Sequence, residues 1–115
     1  MHTEKNLGLI PNCEINTELQ TINLLHTSFY LRDKLWKLFL RFLEMPEVIL
    51  SRQELCECIW IECGSEDSKN IDNAVHHLRS ILKKHNVNAE IVTIHSKGYL
   101  FRVISQRAKV TLTIQ

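Results

Sequence analysis

Two apolar stripes with the same spacing frame this chain. Leu31, Leu35, Leu38 and Phe42 recur at intervals of 4, 3 and 4 residues, and Ile71, Val75, Leu78 and Leu82 repeat those intervals further along. On a helix of about 3.6 residues per turn, each set falls on a single face. A chain with two such faces has to turn both toward a common core. The spacing predicts helices over 31–44 and 68–84. Met45 and Pro46 end the first, because the residue before a proline is driven out of the helical region. Asp67 or Ser68 is the expected cap of the second, and Lys83 and Lys84 suit the negative end of its dipole.

Between the stripes lies the strongest local signal. Ser51-Arg52-Gln53-Glu54 is a capping box, in which the serine hydroxyl and the glutamate carboxylate each satisfy an orphan backbone N–H. Leu50 and Leu55 are placed to form the hydrophobic staple beside it. A short helix over 52–60 follows, burying Leu55, Ile59 and Trp60 in some combination, with Gly64 in the connection after it. Ahead of the first stripe, residues 9–29 mix β-branched and apolar side chains with Pro11, Asn12, Asn16 and Asn23, the pattern of short strands and turns. After the second stripe, Glu90 to Ile94, a tight His95-Ser96-Lys97-Gly98 stretch and Tyr99 to Ile104 predict a hairpin over 90–104, with Gly98 supplying backbone freedom.

Short strands, three helices and a terminal hairpin, in that order, make an α+β fold of the winged helix-turn-helix kind with a small N-terminal antiparallel sheet. At 115 residues and 44% hydrophobic content the chain fits one domain, expected over 1–104, with 105–115 as a tail or an extra strand. Val110, Leu112 and Ile114 alternate in that tail, which suits an edge strand on its own sheet or one that pairs with a second copy.

Several function classes drop out. Apolar runs such as Ile22 to Leu25 fall far short of the roughly 20 residues a membrane helix needs. The start, MHTEKNLG, lacks a secretory signal, so a cytoplasmic setting without a membrane is expected. There Cys13, Cys56, Cys58 and Cys63 should remain thiols. Cys56 and Cys58 point in different directions on a helix, and adjacent His76 and His77 lack the spacing of a helical zinc pair, so no metal is expected. No phosphate loop, nucleophile elbow or acid/base carboxylate pair occurs, so neither a catalytic site nor a cofactor is expected. The net charge of +1 hides an asymmetry: residues 69–109 carry a net +6 and residues 1–68 a net −5. That division gives one end of the molecule a field suited to a polyanion.

The stretches LSRQELCECIW, SKNIDNAVHHLRSILKK and IVTIHSKGYLFRV resemble the effector domain of OmpR/PhoB-type response regulators and of ToxR/CadC-like regulators. The resemblance rests on Arg52, Glu54, Leu55, Trp60, Asp72, Leu78, Arg79, Thr93, Gly98 and Tyr99, and covers most of the chain. It implies a transcription regulator that reads double-stranded DNA with the helix over 68–84 and touches it again with the wing.

The apolar stripe of that helix turns Lys69, Asn70, Asn73, His76, His77, Ser80 and Lys84 outward. Asparagine pairs with adenine in the major groove, lysine and histidine approach guanine or phosphate, and Lys83 and Lys84 are placed for the backbone. The resemblance adds Arg79, with Thr93 and Tyr99 of the hairpin, and places His95 and Lys97 near an adjacent minor groove or phosphate. It also exposes a departure, since the family often has arginines where His77 and His95 stand here. A lost bidentate arginine contact is worth about 1–3 kcal/mol. Because histidine gains charge under mild acid, three of them on one face predict tighter binding as pH falls from about 8 to about 6.

A competing reading, favoured by the near-neutral charge and the missing arginines, is a co-regulator that binds another regulator or RNA polymerase rather than DNA; within the DNA-binding reading, the resemblance implies that the acidic connection Glu62 to Asp67 touches polymerase. The resemblance also implies a phosphorylated receiver domain or a membrane anchor, and neither is expected within these 115 residues. Abundance, a partner or self-association as a homodimer is then left to set activity.

Overall fold

The structure, a computed structural model, describes residues 9–59 and 65–104, and of residues 65–69 the backbone alone. Three short strands open it. β1 (Cys13–Asn16), β2 (Thr21–Leu24) and β3 (Ser28–Tyr30) pair antiparallel in the order β1-β2-β3. The first turn is built by Asn16, whose Oδ1 accepts the backbone N–H groups of Glu18 and Leu19, both at 2.9 Å. Such an Asx turn is what asparagine does best outside regular structure. Ile22, in the central strand, is fully buried.

α1 (Asp33–Glu44) starts two residues later than its stripe suggests. Leu31 precedes the helix and is buried at the junction, its N–H held by the Gln20 carbonyl at 3.0 Å. Leu35 is only half-buried, whereas Trp36, Leu38, Phe39, Phe42 and Leu43 are buried. The helix meets two other helices and the second sheet, so it buries a face wider than one line of side chains. Its end is capped by the Met45 N–H, which reaches the Arg41 and Phe42 carbonyls at 3.2 Å.

β4 (Ile49–Leu50) then leads into α2 (Arg52–Ile59), α3 (Ser65–Lys84), β5 (Ala89–Ile94) and β6 (Gly98–Val103). The capping box of α2 is formed in both directions: the Ser51 N–H donates to Glu54 Oε1 at 2.7 Å, and the Glu54 N–H donates to Ser51 Oγ at 3.0 Å. Leu50 and Leu55 are both buried beside it. α3 is longer than expected. It begins at Ser65, so Asp67 and Ser68 lie inside the helix and do not cap it. At its far end Asn86 takes φ 55°, while the Asn86 and Val87 N–H groups reach the Lys83 and Leu82 carbonyls at 3.1 and 3.0 Å. That is a Schellman stop, with asparagine in the left-handed position usually given to glycine.

The second sheet has the order β4-β6-β5, all antiparallel. The core sits between it and the helices. Phe101 of β6 stacks with Phe42 at 5.8 Å and meets Phe39 edge-on at 6.3 Å. Besides Ile10, Cys13 and Ile22, which belong to the same core, the N-terminal segment is fastened to this unit by the Phe29 ring, which stacks on His85 at 4.2 Å, and by Asn88 Nδ2, which donates to the Pro11 carbonyl at 3.2 Å.

The expectation of four thiols is not met. Cys13 and Cys58 are free, but Cys56 is disulfide-bonded. Cys56 and Cys58 do point apart, one buried and the other half-buried with its thiol donating to the Leu55 carbonyl at 3.0 Å. Burial lifts the Cys13 thiol to about 11, with Glu14 adding to the effect. Trp60, Glu62, Cys63, Gly64 and the 105–115 tail, all used in the sequence reading, lie outside the described residues. Among the described residues no helix is long and apolar enough to cross a membrane, and no cluster of ligands suited to a metal ion occurs.

Candidate nucleic-acid interface

α3 divides cleanly by face. Ile71, Val75, Leu78 and Leu82 are buried, at 0 to 2% exposure, as the stripe requires. Asn70, Asn73, His76, His77, Ser80, Lys83 and Lys84 are exposed. The Lys69 backbone belongs to the helix, and its side chain is outside the described ones. Asn73, His77, Ser80 and Lys84 succeed one another at intervals of 4, 3 and 4, so they form a single outward line. Ser80 Oγ turns back to donate to the His76 carbonyl at 3.1 Å.

The wing is the turn between β5 and β6. Ile94 faces Gly98 across the ladder, the Lys97 N–H donates to the Ile94 carbonyl at 2.9 Å, and His95, Ser96 and Lys97 are exposed. Ser96 takes φ 64°. Gly98, at φ 142°, lies so close to β4 that a Cβ there would run into the Leu50 carbonyl. Glycine is required for both the backbone conformation and the approach of the strands.

Arg79, Thr93 and Tyr99, expected as contact residues, are engaged with other elements of the protein. Tyr99 is 5% exposed, and its hydroxyl donates to Asp72 Oδ1 at 2.6 Å. Arg79 is half-buried, with Nε donating to the Ile91 carbonyl at 3.0 Å and Nη2 to Thr93 Oγ1 at 2.9 Å. Thr93 is exposed, and its Oγ1 accepts that bond. Asp72 Oδ1 also accepts from Arg52 Nε at 2.7 Å, and the Arg52 and Arg79 guanidiniums lie 5.6 and 6.0 Å from the Tyr99 ring centre. Desolvation and then the bond to Asp72 raise the Tyr99 phenol above its ordinary value, so it keeps its proton. The Asp72 hydrogen bond and charge likewise raise Arg52. Arg52 and Asp72 were visible in the sequence as motif residues, but no spacing rule pairs positions 20 apart.

The sequence model described as "Transcriptional regulatory protein, C terminal" matches residues 26–101. The chain is 27% identical over 90 residues to the heme response regulator HssR of Staphylococcus aureus (strain JH9), covering 78% of this chain and 40% of that protein. The chain thus spans less than half the length of that relative. Two solved structures share the fold. One is the DNA-binding domain of CadC from E. coli, with a TM-score of 0.71 and 21% identity over 82% of this chain and 89% of that one. The other is the DNA-binding domain of the response regulator AdeR in complex with an intercistronic region, with a TM-score of 0.66 and 19% identity over 83% and 96%. The family match, the capping box, the buried stripe of α3 and the wing agree, and the chain belongs to the OmpR/PhoB-type family of transcriptional regulatory C-terminal domains.

Proposed function

We propose that this chain regulates transcription by binding double-stranded DNA, with the outer face of α3 in the major groove and the 95–97 turn against the neighbouring minor groove or phosphates. The carrying observation is the division of α3: a sealed apolar face fixes its orientation, and the opposite face presents Asn73, His76, His77, Ser80, Lys83 and Lys84 to solvent. A helix fits a major groove about 12 Å wide, where amides and cations meet distinguishable base edges. The neighbour solved on an intercistronic region supports the same reading. Lys69 and Asn70 at the start of this face, and His95 and Lys97 on the wing, complete the proposed contacts. Arg79, Thr93 and Tyr99 border the same face and act from within the fold. The chain works by binding rather than catalysis, in the cytoplasm, and RNA polymerase or a second copy is the protein partner this role calls for.

A duplex chosen from a randomised pool tests the reading. Affinity should fall steeply with salt as counterions are released. Lys84→Ala should weaken all sequences alike and reduce the salt slope by about 0.9, whereas Asn73→Ala should cost about 1–3 kcal/mol and relax preference at one base pair. No selected duplex and no salt dependence would leave the protein-binding co-regulator as the function.

A further inference from the structure

Asp72 is out of place on a helix offered to a polyanion. Its side chain is 44% exposed, it adjoins Asn73 in sequence, and its carboxylate would repel phosphate at close range. The bonds it accepts explain its presence. One carboxylate oxygen receives Arg52 Nε, from the first residue of α2, and the Tyr99 hydroxyl, from β6 just beyond the wing turn. Seven residues along α3, Arg79 reaches the other wing strand at the Ile91 carbonyl and at Thr93 Oγ1, and its guanidinium shares the Tyr99 ring with that of Arg52. The outward residues between Asp72 and Arg79, among them Asn73, His76 and His77, are therefore bracketed by two ties to the wing.

We propose that Asp72 is the positioning residue of the interface: it makes no contact with DNA, and through Arg52 and Tyr99 it locks the start of α2, the outer face of α3 and the wing into one unit that meets the duplex together. This rests on the DNA-binding reading above. Hydrogen bonds to a charged group are stronger than neutral ones and depend sharply on direction, so Asp72 fixes orientation as well as distance. A preformed pair of contact surfaces binds without first having to order them.

The sign of one substitution separates positioning from charge. Asp72→Asn removes a negative charge facing the phosphates, so electrostatics alone makes binding tighter. Loss of the locked geometry makes it weaker, by about tenfold for a charged hydrogen bond. Tyr99→Phe keeps the ring and the net charge and should weaken binding about threefold. The double variant should be little worse than Asp72→Asn, because both substitutions weaken the same contact, one by removing its charge and the other by removing its donor.

A further readout distinguishes positioning from mere support of the fold. Lys97→Ala on the wing should cost more affinity in the native background than in the Asp72→Asn background, where the wing is no longer held to α3. The experiment titrates the 115-residue chain and its variants against the selected duplex, well below the melting temperature of each. Equal or tighter binding by Asp72→Asn, or an unchanged Lys97→Ala penalty, overturns the proposal while leaving DNA binding intact. Absence of any binding by the unsubstituted chain overturns both. If Asp72→Asn does not fold, Tyr99→Phe carries the test: its Lys97→Ala penalty should shrink, and an unchanged penalty overturns the proposal.

Discussion

At Gly98 the wing, β4 and the connection into α2 converge. The residue combines φ 142° with a strand crossing that leaves no room for a side chain against Leu50 and Ser51. Both problems act in the same direction on substitution, and neither is relieved by a side chain moving, since the obstructing atoms are backbone. Gly98→Ala should destabilise the fold by about 2–3 kcal/mol, measurable by denaturant titration. An unchanged midpoint would mean that β4 and β6 separate freely. Ser96 is a milder case, with φ 64° in an exposed turn. Its strain is tolerable because nothing presses on its side chain. His77 and His95 behave differently again. Both are exposed, so packing places no constraint on their side chains.

At the scale of elements, α2 is the piece least able to stand alone. Eight residues make about two turns, too short to persist without help from its ends and its buried side chains. The reciprocal Ser51 and Glu54 bonds supply that help at one end. Ser51→Ala removes one acceptor and should lower stability by about 1 kcal/mol, with Glu54→Ala adding less than a second full increment because the two bonds support one another. Thermal denaturation of the two single variants and the double variant checks this, and strict additivity would refute a cooperative box. The same elements show how far local pattern reaches. The α2 cap was legible because its four residues are contiguous and each has one job. The start of α3 was not, since Asp67 and Ser68 are good caps in isolation and yet the helix extends to Ser65. β4 was invisible, because Ile49 and Leu50 are too few to show any period and become a strand only by pairing with Leu100 and Tyr99.

Across the whole molecule, the N-terminal sheet and the helical unit could in principle melt apart. The Phe29–His85 stack and the bond from Asn88 to Pro11 oppose this, tying β3 and the segment ahead of β1 to the end of α3 and the start of β5. Unfolding should therefore be a single transition. Phe29→Ala should lower the melting temperature and broaden or split the transition, as the sheet loses its ring stack on His85, the residue that follows α3. Calorimetry decides between these outcomes, and a sharp, unshifted transition would count against the tie. The charge division has the same reach. A net +6 over residues 69–109 covers most of α3 and the wing, while two acidic residues of the net −5 segment, Glu66 and Asp67, fall at the start of α3.

Sequence alone was enough for whatever repeats or completes itself within a few residues. The stripe Ile71, Val75, Leu78 and Leu82 fixed which face of α3 is buried, and so which residues face outward, because helical geometry leaves no other arrangement. The capping box and the hairpin turn were local in the same sense. Tertiary structure decided the roles of residues whose partners lie far away in the chain. Arg79, Thr93 and Tyr99 are offered as contacts by the resemblance alone, and only the fold brings Ile91 and Asp72 within reach of the Arg79 and Tyr99 polar atoms and joins Arg79 to Thr93. The pairing of Arg52 with Asp72 across 20 positions, and of Tyr99 with Asp72 across 27, depends on how α2, α3 and β6 cross. A hydrogen bond is set by distance and direction in space, and no one-dimensional pattern encodes either between elements that meet only in the folded core.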